Sequence, residues 1–503
     1  MVWKLPVFVS KSILEAVVIS GRRFSTFGIP LLTFAATTLL GPHPAISSVF
    51  ASGTNALTNS AILLSNEAWI IGGSGTPIPD QEYLDAAFAK YLTPNGYGAY
   101  RPNALFTPEG LYPTTAIRDL PFATSVARGV TILNDTITQQ TDSGNNMVVL
   151  GYSQSAAIAS LEMRNLAALG PDAPTADQLA FVLLADPMNP NGGLLERFAG
   201  LTLPSVGLTF YGATPSDTIY PTDIYTMEYD GYADFPRYPL NLLASMNAFA
   251  GIYYLHGTYL DLSIEDITPV ADGGNAIELP VSPDYTGNTT YWMIPTENLP
   301  LLEPIRSIPG VGDAIAELIQ PSLRVLINLG YGSITEGWDH GPANVATPFE
   351  LFPTNIDPTE VLRALAAGTE EGINNFVREI SSGISFPEPT LPNFDILETI
   401  NSALADPAAA FTHVMNTFSS MASTIYSPLL PTADTFNAVL TSLPAYNFSL
   451  FMEGLESGDL LGAIGNPIAA DVGLLTMGAA FEYYVLLHMF EDLGADLANL
   501  FAF

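Results

Sequence analysis

The sequence contains no cysteine and only five histidines, and its 503 residues carry 15 basic side chains against 50 acidic ones. Without cysteine there can be no disulfide within the chain, no thiolate nucleophile and no cysteine-ligated metal or iron–sulfur site. Lysine is nearly absent as well, at Lys4, Lys11 and Lys90 alone. With a formal charge of −35, the chain offers no basic stripe for phosphates, which argues against a nucleic-acid partner. Charged residues make up 13% of the chain and hydrophobic ones 48%, so the acidic excess does not mark a disordered polyanion. A mechanism that needs imidazole must draw on His43, His256, His340, His413 or His488. No His-Glu-x-x-His string and no close histidine pair occurs, so no catalytic zinc and no other metal or cofactor is expected.

What is present falls into three regions. Residues 1–55 read as a leader. Lys4, Lys11, Arg22 and Arg23 oppose one acid, Glu15, and precede the apolar run Phe27–Leu40. Val49-Phe50-Ala51 then suits a signal peptidase. An uncleaved anchor and a buried apolar arm are the alternatives, and Arg22-Arg23 adds a twin-arginine hint. Residues 56–347 alternate short apolar runs with helical stretches, the pattern of an α/β domain around a mostly parallel sheet. Strands are expected at Ala68–Ile71, Met147–Leu150, Phe181–Ala185, Gly207–Tyr211 and Ile224–Tyr229, with helices over Phe122–Gln139 and Gln154–Leu169. Residues 348–503 read as mostly helical, with proline-rich breaks. From position 354 onward the only basic residues are Arg363 and Arg378. The uncharged stretch Pro407–Ala433 fits a buried or interfacial helix better than a membrane span.

The chemistry concentrates at Gly151-Tyr152-Ser153-Gln154-Ser155, between a strand and a helix. A sharp strand–turn–helix with serine at its tip is a nucleophile elbow. It needs small flanking residues because strand and helix approach closely. Gly151 meets that need on one side, and Ser155 stands where a second glycine is usual. An α/β-hydrolase runs Ser, acid, His along the chain. Among the histidines that follow Ser153, His256 leaves room for more strands and an intervening acid, whereas His340, His413 and His488 lie near or beyond the end of the α/β pattern. Two carboxylates follow the strand at Ile224–Tyr229: Asp230, at its end and favoured, and Asp234, as the alternative acid. Asp186 is a third option, more suited to ordering the loop at Pro187–Gly193. The amide of Gln154, at the start of a helix, is one candidate oxyanion donor. The loop Gly72-Gly73-Ser74-Gly75 supplies the other, with Ser74, Gly73 and Gly75 as candidates. That loop is glycine-rich, but no Gly-Lys-Ser/Thr follows it, so nucleotide binding is not expected.

From about Trp69 to Gly332 the chain resembles the PE-PPE domain family of mycobacterial serine hydrolases, relatives of cutinases. The resemblance is carried by Gly72–Asp80 (GGSGTPIPD), Thr107–Pro113 (TPEGLYP), Gly151–Arg164 (GYSQSAAIASLEMR) and Asn189–Phe198 (NPNGGLLERF). It continues through Glu228–Asn241 (EYDGYADFPRYPLN), His256–Tyr259 (HGTY) and Tyr291–Pro300 (YWMIPTENLP). It implies a cutinase-like α/β-hydrolase fold and a Ser-Asp-His triad at Ser153, Asp230 or Asp234, and His256. It also implies esterase or acyltransferase action on an acyl ester or glycolipid substrate. Many family members carry an N-terminal PE or PPE helical domain; here a leader is expected in that place. The protein is accordingly expected to be secreted or associated with the cell envelope, possible membrane contact included. A non-catalytic envelope protein on the same scaffold, and a membrane-anchored lipid carrier, are the competing classes.

Overall fold

The computed structural model describes residues 65–382 and 405–500. The leader expected over residues 1–55, with His43, lies outside the described residues.

Seven strands form one sheet: β1 (Asn66–Ile71), β2 (Arg101–Ala104), β3 (Asn146–Tyr152), β4 (Leu179–Leu184), β7 (Thr222–Met227), β8 (Ile277–Glu278) and β9 (Thr289–Ile294). Their order is β2-β1-β3-β4-β7-β9-β8. All neighbours run parallel except the edge pair β8–β9. The middle strands read MVVLGY and LAFVLL and are buried on both faces, which is why they lack polar alternation. A separate two-stranded hairpin joins β5 (Thr202–Leu203) to β6 (Leu208–Thr209). The strand expected at Gly207–Tyr211 is thus a hairpin arm, because two residues there pair locally and never reach the sheet.

Helices cover both faces of the sheet: α1 (Gln81–Ala87), α2 (Phe122–Asp142), α3 (Gln154–Leu169), α4 (Leu242–Tyr254) and α5 (Gly312–Asn328). One apolar core lies under α2 and α3, with Val126, Leu133, Ile158 and Met163 against Val149 and Phe181. A second lies on the opposite face around Tyr91, Val148, Leu150 and Val182. From β1 the chain moves outward to β2 and then returns past β1 to β3. The reversal leaves a crevice at the carboxyl ends of β1 and β3, the usual ligand position in open α/β sheets.

The carboxyl-terminal region is helical: α6 (Pro358–Ser382), α7 (Pro407–Tyr426), α8 (Leu429–Leu440), α9 (Ser442–Ser457) and α10 (Leu460–Asn499). Among the described helices, α10 alone is long and apolar enough to cross a membrane by length and composition. One of its faces, with Ala469, Ala470, Gly473, Leu474 and Met477, is buried, while Ile464, Tyr483 and Phe490 on other faces are well exposed. Buried positions three and four residues apart make a helical stripe that packs on the α/β core. Gly473 permits this approach, since a Cβ there would lie 2.8 Å from the Phe198 ring and 3.1 Å from Pro239.

Candidate active site

The end of β3 turns abruptly into α3, and Ser153 occupies the turn with φ 59° and ψ −114°. Few non-glycine residues adopt a positive φ, and the strain persists only where the surroundings enforce it. Two neighbours do so here. A Cβ on Gly151 would come within 2.7–2.9 Å of backbone atoms of Ser155 and Ala156, so only glycine allows strand and helix to meet. Ser155, in the place of the usual second glycine, accepts a hydrogen bond from the Tyr152 amide at 2.7 Å. Its hydroxyl donates toward the Ile71 carbonyl at 3.2 Å and the Tyr152 carbonyl at 3.1 Å. This buried hydroxyl braces the turn against β1.

His256 follows α4, and its amide donates to the Gly251 carbonyl at 3.0 Å. Its Nε2 lies 2.7 Å from Ser153 Oγ, and its Nδ1 lies 2.9 Å from both carboxylate oxygens of Asp230. Asp230 is fully buried and also accepts from the Tyr259 hydroxyl at 2.8 Å and the Tyr232 amide at 3.1 Å. Glycines set these separations. A Cβ on Gly251 would lie 1.8 Å from the Tyr229 carbonyl, and one on Gly231 would lie 2.1 Å from the Ala248 carbonyl. Helix α4 therefore rests directly on the loop that carries Asp230. The Tyr152 hydroxyl donates to the His256 carbonyl, holding the histidine loop from the nucleophile side.

Asp234 is not brought to His256. Its Oδ2 accepts from the Tyr229 amide at 2.9 Å, and its Oδ1 has no hydrogen-bond partner. Complete burial pushes this carboxyl well above the usual carboxylate range, with the Tyr229 amide and Arg197 opposing the shift. Asp186 lies elsewhere too, accepting from the Met188 amide at 2.9 Å and from the Thr214 hydroxyl at 2.5 Å. Burial raises its carboxyl to about 6. Of the remaining described histidines, His340 pairs with Glu336, His488 with Glu491, and His413 meets the Asn499 carbonyl.

The glycine-rich loop lies over the nucleophile. A Cβ on Gly73 would sit 3.4 Å from the Cβ of Ser153. Ser74 lines the same cavity as Ser153 and Gln154, and its hydroxyl makes a long 3.5 Å contact to Gln154 Oε1. The Gly75 amide is committed, donating to the Glu109 carbonyl at 2.8 Å. The Gln154 amide opens α3, where helical geometry provides no acceptor. The Gln154 side chain faces inward and donates to Glu109 Oε2 and to Ser125 Oγ, both at 2.9 Å. Burial pushes the Glu109 carboxyl up to about 8, against a hydrogen bond from Thr107 that lowers it. Residue chemistry alone had not singled out Glu109 or Tyr259. Both lie inside recognised strings, TPEGLYP and HGTY, but nothing in the strings reveals what each side chain touches.

A family model for the PE-PPE domain matches residues 98–332. Over 463 residues the chain is 44% identical to the uncharacterized PPE family protein PPE28 of Mycobacterium tuberculosis, covering 89% of this chain and 69% of that one. The chain belongs to the PE-PPE domain family. Other family relatives from the same organism have names that state a chemistry. Esterase PE16 is 49% identical over 295 residues, 58% of this chain and 53% of its own length. Diacyltrehalose acyltransferase Chp2 is 28% identical over 322 residues, 61% of this chain and 82% of its own. Kinship with an esterase and an acyltransferase supports enzymatic action on lipid-like esters.

Proposed function

We propose that this PE-PPE protein is a serine carboxylic-ester hydrolase with a cutinase-like α/β-hydrolase fold. In this reading Ser153 is the nucleophile, His256 the general base and Asp230 the orienting acid. The observation that carries it is the line of hydrogen bonds from Ser153 Oγ through His256 to buried Asp230, with the serine in a strained strand-to-helix turn. Ser153 Oγ attacks the ester carbonyl carbon while His256 Nε2 takes its proton, and Asp230 stabilises the imidazolium. The Gln154 amide and the loop at Gly73-Ser74 face the developing oxyanion. Collapse of the tetrahedral intermediate expels the alcohol, which receives the proton from His256 and leaves an acyl-serine. Water, activated by the same histidine, then releases the acid.

A second outcome of the same acyl-enzyme is transfer to a sugar hydroxyl of an envelope glycolipid. It draws support from the acyltransferase relative and from the apolar cavity beside Ser153, lined by residues such as Leu194, Leu203, Leu474 and Met477. The domain plan that accompanies this reading is a leader over 1–55, the hydrolase over 56–347 and a helical region over 348–503. The protein would act in a secreted or envelope-associated setting. The test is labelling with a fluorophosphonate probe together with turnover of short p-nitrophenyl esters. Ser153→Ala is expected to abolish both while leaving the circular dichroism unchanged. Full labelling of that variant would refute the assignment, and an unlabelled wild-type protein would favour a non-catalytic scaffold. Mass spectrometry of products formed from an acyl donor and a glycolipid acceptor separates hydrolysis from transfer.

A further inference from the structure

The cavity beside Ser153 encloses about 1100 Å³ of empty volume, counting the part open to solvent. Its inner side belongs to the α/β core, with Leu111, Phe122, Leu194, Leu203 and Leu208 among its residues. Eight of its twenty-three lining residues come from helices α8 to α10, so the far wall belongs to the carboxyl-terminal region. On that wall Ala438, Val439, Leu474, Met477, Gly478 and Phe481 are apolar or lack a polar side chain, and Thr435 carries the one side-chain polar atom. No lysine or arginine occurs anywhere in α7 to α10. A sugar, a phosphate or a carboxylate buried there would lose its water for no side-chain partner on that wall beyond the Thr435 hydroxyl. A hydrocarbon chain would lose only its unfavourable contact with water.

This wall is fastened to the core at specific points. The Tyr112 hydroxyl donates to Asp434 Oδ2 and the Ser205 hydroxyl to the Asp434 carbonyl, both at 2.7 Å, which anchors α8. The Thr432 hydroxyl donates to Glu482 at 2.7 Å, tying α8 to α10. The close passage of Gly473 over Phe198 and Pro239 seats α10 itself. Tyr112 lies in the same string as Glu109, so one loop touches both the network behind Gln154 and the clamp on α8.

We infer that helices α8 to α10 are the outer wall of an acyl-chain pocket, and that Ala438, Met477 and Gly478 set the length of the chain delivered to Ser153. The inference rests on Ser153 being the nucleophile, and it names the substrate class as esters of long apolar acyl groups. Ala438 and Gly478 leave space that a larger side chain would fill. A Cβ on Gly478 would meet nothing nearer than Thr435 at 3.6 Å, so a side chain can be introduced there without a clash at its root. Met477 is flexible and occupies space that alanine would release.

The experiment measures kcat/KM for p-nitrophenyl acetate, butyrate, octanoate, laurate and palmitate on the full chain and on Ala438→Leu, Gly478→Leu and Met477→Ala. Thermal midpoints are recorded alongside to identify variants that fail to fold. In the two filled variants the laurate-to-acetate ratio should fall at least about tenfold, because the loss of room for one or two methylenes costs a factor of about 10–200. In Met477→Ala the ratio of palmitate to laurate should rise. Binding of the fluorescent fatty acid cis-parinaric acid is measured in the same proteins and does not depend on turnover. Its affinity should fall at least about tenfold in a folded, filled variant. Unchanged binding and an unchanged chain-length ratio in filled, folded variants would overturn the pocket while leaving the nucleophile assignment intact. A protein that binds parinaric acid as expected but neither turns over esters nor labels at Ser153 would overturn the nucleophile and its delivery role, and keep only the pocket.

Discussion

Two aspartates share the loop after β7, and exchanging each for asparagine separates their roles. Asp230 has every oxygen committed. Both face His256 Nδ1 at 2.9 Å, Oδ2 also accepts from Tyr259, and Oδ1 accepts from the Tyr232 amide. An amide of the same shape must turn its NH2 toward one of these donors or toward Nδ1. Facing Nδ1, it forces the imidazole to carry its proton on Nε2, where it points at Ser153 and cannot accept the serine proton. The expected loss in kcat for Asp230→Asn is about 10³–10⁴-fold, which corresponds to about 4–5.5 kcal/mol of transition-state stabilisation. Asp234 differs because its oxygens do not reach His256: Oδ2 accepts from the Tyr229 amide, and burial pushes the carboxyl well above the usual carboxylate range. An amide there can still accept from the Tyr229 amide through its oxygen. Asp234→Asn should therefore keep kcat within about tenfold, since it leaves the Ser153–His256 geometry untouched. The assay is kcat on p-nitrophenyl butyrate at saturating ester, with thermal midpoints to confirm folding. The reasoning fails if the two variants lose activity equally at unchanged stability, or if Asp230→Asn retains more than about a tenth of wild-type kcat.

Two further outcomes follow from the packing. Gly251→Ala puts a Cβ 1.8 Å from the Tyr229 carbonyl, so α4 must lift and carry the His256 loop with it. A misplacement near 1 Å is expected to cost about 10²-fold in kcat/KM, and wild-type activity in that variant would show that the helix contact does not position the histidine. Glu109→Gln should flatten the pH dependence of stability. The buried carboxyl titrates near 8 when folded against 4.5 in its unperturbed state. Its contribution is therefore complete below the lower value and is lost as pH rises through the higher one. At about 1.4 kcal/mol per pH unit, several kcal/mol are at stake, and urea midpoints at pH 5 and pH 9 should diverge less in the variant than in the wild type. Equal divergence would place the pH sensitivity on other groups.

Strands β1, β3, β4 and β7 were readable because each is a short apolar run closed by a turn signal. The sheet's remaining strands, β2, β8 and β9, were not. In β2 the sequence RPNA has a proline and half-exposed residues, tolerable on a sheet edge but without an apolar signal. Strand β9 overlaps a recognised string from Tyr291 onward, yet Thr289–Ile294 mixes buried and half-buried positions and its register is set by β7. Scarcity made the candidate site more legible than the sheet. Five histidines and one strand–serine–helix turn left few combinations, and the order along the chain pointed to Ser153 with His256. Position at the strand end favoured Asp230 over Asp234, but which carboxylate faces His256 depends on how the turn between them folds, and no pattern in the string carries that. Glu109 was hidden for a similar reason. A lone carboxylate among apolar residues reads as a loop residue until the Gln154 side chain is seen donating to it. The helical region was recognisable as helical, but apolar residues on several faces of α10 could not reveal which face meets the core.

The cavity's two walls lie on different stretches of chain. The serine, its partners and the inner wall fall within residues 98–332, which the family model matches, except for Ser74. The facing helices lie well beyond that match. In the proposed reading, the reacting groups and the outer wall of the cavity are thus encoded on separate stretches of chain. If the tail helices enclose the acyl group as inferred, a change confined to them retunes what is accepted without altering a single reacting atom, and relatives that agree through the matched segment need not share a substrate.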